Sequence, residues 1–555
     1  MLGFRRRLSA GFVVLCGVAL GATGVVAPAV AAAPTVQAVT AGLMPAPQVD
    51  GIVFSVAIVG NTVYVGGRFS KARPAGVAPG GAGEVTRNNV LAFNLTTGQL
   101  LPWAPNVAGT SYSSPTNPGP FCKSVGTNQW LCDTVFRIKA SPSGDRVYIG
   151  GDFDKVNGQR RTRIAAFDTA SGALAGNFAP TLSSRVRAIS VTGDRVYVGG
   201  AFTTVNGAAR TRLAALSPTG VLQPWAPAAD GEVFSMLAAP AQGRVLVGGA
   251  FNRMNNVARR GLMSVDANTG ANSTLAWRDP SGYGVYTDIV TDGSGTAYVG
   301  AYDFGGGDPR FEGRGAIDIA SGATKWRDGC YGDTQSVAVA NGVVYGASHT
   351  HDCMAVGEFP GTNPATYWRL TAETAAAVGT ATVNRNYVRV GDPVPAILPW
   401  MPAANPGPAD SYWKNGTWAL DANSQYVIAA GEFTTMNGVA QQGIARFAAR
   451  GVPGAVNYGP QVPFAAPVVN RNLQGVPTVS WKATWDRQNW DIRYDVMRVG
   501  VAAPVYSVTQ ASRQWNLPSM SYQDTAAPKT GRVDYWVKAV DADGASKSSP
   551  VGGVG

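Results

Sequence analysis

A unit reading V-Y-V-G-G-x-F recurs along this chain, and no other feature restricts its fold so strongly. It stands at Val63–Phe69, Val147–Phe153, Val196–Phe202 and Val245–Phe251. Degenerate copies at Ala297–Gly300, Val344–Gly346 and Val427–Phe433 bring the units to seven. The tyrosine position repeats at steps of 84, 49, 49, 52 and 47 residues, and the last step is again long. The two long steps mark insertions, near 106–130 and 355–405. A period of this size means stacked units, each burying its apolar face against the next.

Inside each unit the pattern has period two, as half-buried strands require. In the third unit Val186–Ser190 reads as a first strand and Val196–Val198 as a second. Asn206-Gly207 reads as the hairpin turn leading to a third strand at Arg212–Leu216. Thr219-Gly220 starts a fourth, which ends at Trp225-Ala226-Pro227. Similar ends at Trp103, Phe178 and Trp400 suggest a packing role for each ring. Four short antiparallel strands in each of seven units predict an all-β fold, a seven-bladed β-propeller over residues 32–455. Only 14% of residues are charged and no heptad or long amphipathic pattern occurs, so helical bundles and coiled coils are excluded. The last unit lacks a W-x-P strand after Gly443–Phe447. The segment Thr40–Pro47 is similar to Thr97–Pro105, so residues 38–47 are expected to complete the seventh blade and pair its open edge.

After residue 455 the repeat stops. Pro460 and Pro463 lie in a linker, 456–466, and a further domain occupies 467–555. There Trp481 sits in an alternating strand, followed by Tyr494–Arg498, Tyr535–Asp541, Gly544 and Ser546. This segment resembles a fibronectin type III sandwich, which needs no disulfide. The repeats themselves resemble the delta-sixty type repeats of secreted actinobacterial propeller proteins. The residues carrying that likeness are Val196–Arg210, a V-Y-V-G-G-x-F-x-x-V-N-G-x-x-R string. Cys330–Gln335 followed by Ser348–Cys353 carries it too. The resemblance implies an extracellular propeller and no particular reaction. Ala166-Phe167-Asp168 through Ser171-Gly172 is similar to the docking motif of quinoprotein propellers, a likeness of blade packing and not of cofactor chemistry.

Arg5, Arg6 and Arg7 precede an apolar run from Phe12 to Val26 and the small residues Ala29–Ala33. These are the marks of a secretory signal peptide, residues 1–31. Its removal takes three arginines and no acid, which lowers the formal charge from +11 to +8. The remaining Lys and Arg form no block, so no nucleic-acid partner is expected. No later apolar run is long enough to span a bilayer. A secreted, extracellular monomer is expected. Cys122, Cys132, Cys330 and Cys353 remain after export, and an even number in an oxidising compartment suggests disulfides. Of three connectivities the local one, Cys122–Cys132 with Cys330–Cys353, is preferred.

Two features could carry chemistry. His349 and His351 are the only histidines in the chain. On a strand, residues i and i+2 share a face, so both imidazoles could approach one metal ion or serve as acid and base. Otherwise the strand has ended and they pack beside a Cys330–Cys353 bridge. No other cofactor is expected. The second feature is a ring. Counting one residue past the first valine position of each inner strand gives Phe54, Phe136, Arg187, Phe234, Tyr286, Gln335 and Trp418. At a channel mouth these would form a stacking platform for sugar rings or for an aromatic partner side chain; turned sideways they are packing between blades. Asp152 and Glu432 are carboxylates in different blades, poorly arranged for the 5–10 Å pair of a glycosidase, and are read as strand-end charges. The expected function is non-catalytic recognition of an extracellular glycan, a cell-wall polymer or a protein partner. The alternative is a polysaccharide-active glycosidase or lyase.

Overall fold

The structure, a computed structural model, describes residues 36–116, 118, 121–277, 283–303 and 311–555. The expected signal peptide lies outside them. Among the described residues the fold is all-β, interrupted only by two single-turn 3-10 helices at Pro240–Gln242 and Met354–Val356. Among these residues no helix is long and apolar enough to cross a membrane.

Seven antiparallel sheets of one pattern follow one another along the described chain. Their first strands are Ile52–Val59, Val135–Ala140, Val186–Val191, Val233–Ala239, Gly284–Thr291, Thr334–Ala340 and Thr417–Ala422. Each of these packs beside the next, and the last packs beside the first. The repeated Gly-Gly explains how they fit. A Cβ on Gly150 would lie 2.7 Å from Val186 of the next sheet, and one on Gly151 would lie 2.1 Å from the Thr134 carbonyl of its own partner strand. One glycine therefore admits the neighbouring sheet, and the other admits a β-bulge in the paired first strand. Gly199 and Gly200 stand in the same relation to Val233 and Arg185.

Polar side chains tie adjacent first strands together. Ser55 Oγ accepts from the Ile138 amide at 3.0 Å, and Ser190 Oγ from Ala238 at 2.9 Å. Thr287 Oγ1 donates to the Thr334 carbonyl at 2.6 Å, Ser336 Oγ accepts from Leu420 at 3.1 Å, and Asp421 accepts from Ile58 at 2.7 Å. The apolar core lies between the sheets, where each W-x-P ring rests on the unit's own tyrosine. Trp225 lies 5.0 Å from Tyr197 and donates its indole N–H to Asp266 O of the next sheet at 2.9 Å.

Two expectations need revision. The Asn-Gly turn does not join the second and third strands of a sheet. Asn206 and Gly207, both at positive φ, cap a separate ribbon, Thr204–Val205 with Ala208–Ala209, within that connection. The fourth strand in the third unit is reduced to a single bridge, Leu216 with Leu222, and Trp225 beyond it is buried and bonded to the next sheet.

At the start of the described chain, the Thr40 and Met44 amides donate to Ala448 O and Arg446 O at 2.8 and 2.9 Å. Trp400 adds an indole hydrogen bond to Thr40 O at 3.2 Å. Residues near the amino end thus hydrogen-bond to the strand Ile444–Ala448. Both local disulfides are present, Cys122–Cys132 and Cys330–Cys353. The carboxy-terminal part holds two further sheets. One is Val468–Arg471, Pro477–Lys482 and Ser519–Gln523. The other is built on Asp491–Arg498 and Val533–Val540. Trp481, Tyr494 and Tyr535 fill the space between them.

Candidate aromatic binding cavity

The bulges decide what faces the axis of the strand circuit. In each first strand the residue skipped by the register is Phe54, Phe136, Arg187, Phe234, Thr287, Gln335 or Trp418. All seven line one cavity of about 500 Å³. Six of the seven positions in the sequence-derived ring are therefore brought together.

Tyr286 is not among them. It is fully buried between sheets, accepts a 2.7 Å hydrogen bond from the Trp277 indole and stacks on Phe311. Thr287 takes its place in the ring. The error arises from counting forward from the first valine. The bulge lies two residues before the first core aliphatic: Val56, Ile138, Ile189, Met236, Ile289, Val337 or Leu420. Counting back from Ile289 gives Thr287.

The cavity is lined by side chains of two kinds. One is aromatic: Phe54 lies 5.7 Å from Phe136, 5.7 Å from Phe121 and 5.4 Å from Trp418, and Trp413 lies 5.0 Å from Trp418. Tyr412, 77% exposed, stands at the rim 5.3 Å from Trp413. The other is polar: Tyr302, Asp333, Gln335, His349 and Asn415. Phe121, Tyr412, Trp413 and Asn415 come from loops that break the repeat. The repeat pattern gave them no register. Phe121 sits beside Cys122, whose bridge to Cys132 holds it in place.

Arg137 closes the axis. Its guanidinium donates to Arg187 O, Phe234 O and Thr287 O at 3.2, 3.0 and 3.3 Å and pairs with Asp288 at 3.1 Å. Asp288 also accepts from Ser336 Oγ at 2.7 Å. Five of the first strands are thereby joined at one point.

His349 lines the cavity. Its Nε2 accepts from the Asp333 amide and its Nδ1 faces Asn415 Oδ1, both at 3.4 Å. Burial lowers its pKa, which favours the neutral ring. His351 lies past the end of the strand Val343–Thr350, with its ring 6.4 Å from that of His349 and stacked on Tyr331. Among the described residues neither histidine belongs to a cluster of three metal-ligating groups. The clusters that do exist, Cys122–Cys132–Asp152 and Asp328–Cys330–Glu373, contain disulfide sulfurs.

Asp152 and Glu432 do not form a pair in the cavity. Asp152 bonds to Arg163 at 2.7 Å, and burial raises its pKa. Glu432 is buried and accepts from the Trp418 indole at 3.1 Å, the Asn415 amide at 3.0 Å and Ser411 Oγ. Burial also pushes the Tyr302 phenol up to about 12. Among the described residues, Asp333 is the one carboxylate lining the cavity.

No family model and no curated protein matches the chain. Among solved structures it is similar to a chain of the mitotic checkpoint complex, at 11% identity and a TM-score of 0.36, over 75% of this chain and 97% of that one. It is also similar to the GH74 enzyme of Niastella koreensis, at 12% identity and a TM-score of 0.36, over 92% of this chain and 73% of that one.

Proposed function

We propose that the chain is a secreted recognition protein, a seven-bladed β-propeller joined to a fibronectin type III-like sandwich, which binds extracellular glycan in the aromatic cavity. The observation that carries this reading is the cavity's composition. Phe54, Trp413 and Trp418 line a space of about 500 Å³ together with the polar Gln335, His349 and Asn415. Sugar rings offer apolar C–H faces and hydroxyl edges, which such a mixed lining complements. Stacking on rings already held edge-to-face by their neighbours costs little ordering entropy.

The test mixes residues 32–555 with a panel of insoluble glycans and cell walls. Protein loss from solution and release of soluble sugar are followed in the same tubes. Depletion without release is expected, with retention weakened by Trp418→Ala. Release of sugar would instead assign a glycosidase or lyase to the cavity. If no polymer depletes the protein, the glycan reading fails and a protein partner takes its place.

A further inference from the structure

Two arginines, Arg137 and Arg187, line the cavity. Arg137 donates to three carbonyls and Asp288. Arg185 makes a two-pronged contact with Glu232 at 2.7 and 2.9 Å. Arg163 holds Asp152 at 2.7 Å. Arg187 has a different environment. Its guanidinium carbon lies 4.3 Å from the centre of the Phe234 ring, 4.9 Å from Phe121 and 5.0 Å from Phe136. Among the described residues no carboxylate or carbonyl accepts a hydrogen bond from it; Glu232, whose oxygens are held by Arg185, acts on it through charge alone.

This arrangement has a chemical consequence. The contact with the three rings is cation–π in kind and takes none of the guanidinium's N–H donors as hydrogen bonds to oxygen. Donors therefore remain for a ligand in the cavity that Arg187 lines. Burial costs the cation hydration, as the downward pressure on its pKa shows. A cation held this way, lining a cavity, is preorganised for a planar anion that takes two parallel N–H···O bonds, and a carboxylate has that geometry.

We infer that Arg187 selects a carboxylate-bearing sugar, so that the ligand class is a uronic-acid glycan. This rests on the glycan reading above and narrows it. The sugar ring stacks on the Phe54–Trp418 side while its carboxylate meets the Arg187 edge. Neutral glycans lack the group that replaces the cation's lost hydration.

The experiment measures binding by titration calorimetry to polygalacturonate, hyaluronan and alginate, and to the methyl ester of each. Esterification keeps the sugar and removes the charge. The wild-type chain is expected to bind at least one acid form roughly tenfold or more tightly than its ester, with the preference weakening as salt rises. Arg187→Gln should abolish the preference while unfolding at the wild-type temperature. Arg187→Lys keeps a charge but loses the planar fork, and should retain only part of it. Equal binding of acid and ester, or equal weakening of both by Arg187→Gln, overturns the carboxylate claim and leaves glycan recognition standing. Binding confined to the neutral glycans of the earlier panel has the same effect. Failure with every acidic and neutral polymer overturns both readings.

Discussion

At the scale of single residues, one carboxylate supports the cavity without entering it. Glu432 is 2% exposed and collects the Trp418 indole, the Asn415 amide and Ser411 Oγ. It thereby pins the turn that presents Tyr412 and Trp413. Glu432→Ala leaves two N–H donors without their acceptor, each costing about 1–3 kcal/mol when buried. We expect a lower urea midpoint, altered tryptophan emission and weaker glycan retention. Glu432→Gln keeps one acceptor oxygen and the volume, so its effects should be smaller. A read-out of unchanged emission in both variants would show that the turn holds without this contact.

At the scale of the element, the bulge makes the site. A regular first strand would alternate its side chains between the two flanking sheets. The extra residue breaks that alternation once per strand and turns one side chain to the axis. Two residues of the strand Gly284–Thr291 separate the two roles sharply: Thr287 faces the cavity and Tyr286 the core. Tyr286→Ala is expected to cost about 3–5 kcal/mol, the usual range for emptying an aromatic core position. Tyr286→Phe keeps the ring and removes the hydroxyl that accepts from Trp277, and should cost about 1 kcal/mol. Denaturant unfolding measures both, and neither Tyr286 variant should change glycan affinity under folding conditions. A selective loss of binding in Tyr286→Phe would contradict this assignment.

At the scale of the whole molecule, the insertion of the sixth unit meets the carboxy-terminal sheets. Phe359 lies 5.1 Å from Trp515, and Arg513 pairs with Glu358 at 2.9 Å. Burial pushes the Glu358 carboxyl from its ordinary 4.5 up to about 7, despite the arginine. The folded chain thus holds this proton more tightly than the unfolded chain. Its contribution to stability is complete below about pH 4.5 and is lost as pH rises through about 7. Asp486, raised by burial to about 6, acts in the same direction. The melting temperature is therefore expected to fall between about pH 5 and about pH 8, and Glu358→Gln should flatten the upper part of that slope. A slope unchanged in the variant would rule out this contact as its source.

Much of the architecture was legible along the chain because it follows from local rules applied many times. The V-Y-V-G-G repeat and its degenerate copies mark one strand in each of the seven sheets, since glycine or alanine there lets a neighbouring sheet and a bulge approach closely. The local cysteine spacing likewise matched the two bridges. Six ring positions followed from alignment of the repeats, and the seventh slipped by one residue because a bulge leaves no mark in a period-two pattern. The rest depended on distance in space. Phe121 and Trp413 lie 292 residues apart in numbering, yet their rings stand 4.9 Å from each other. The single-strand pattern also could not tell Arg187 from its paired neighbours. Sequence by itself determined which residues alternate and repeat. Only the closed tertiary structure decided which of them meet at the axis, because that meeting depends on loops outside the repeat and on a register that the repeat does not encode.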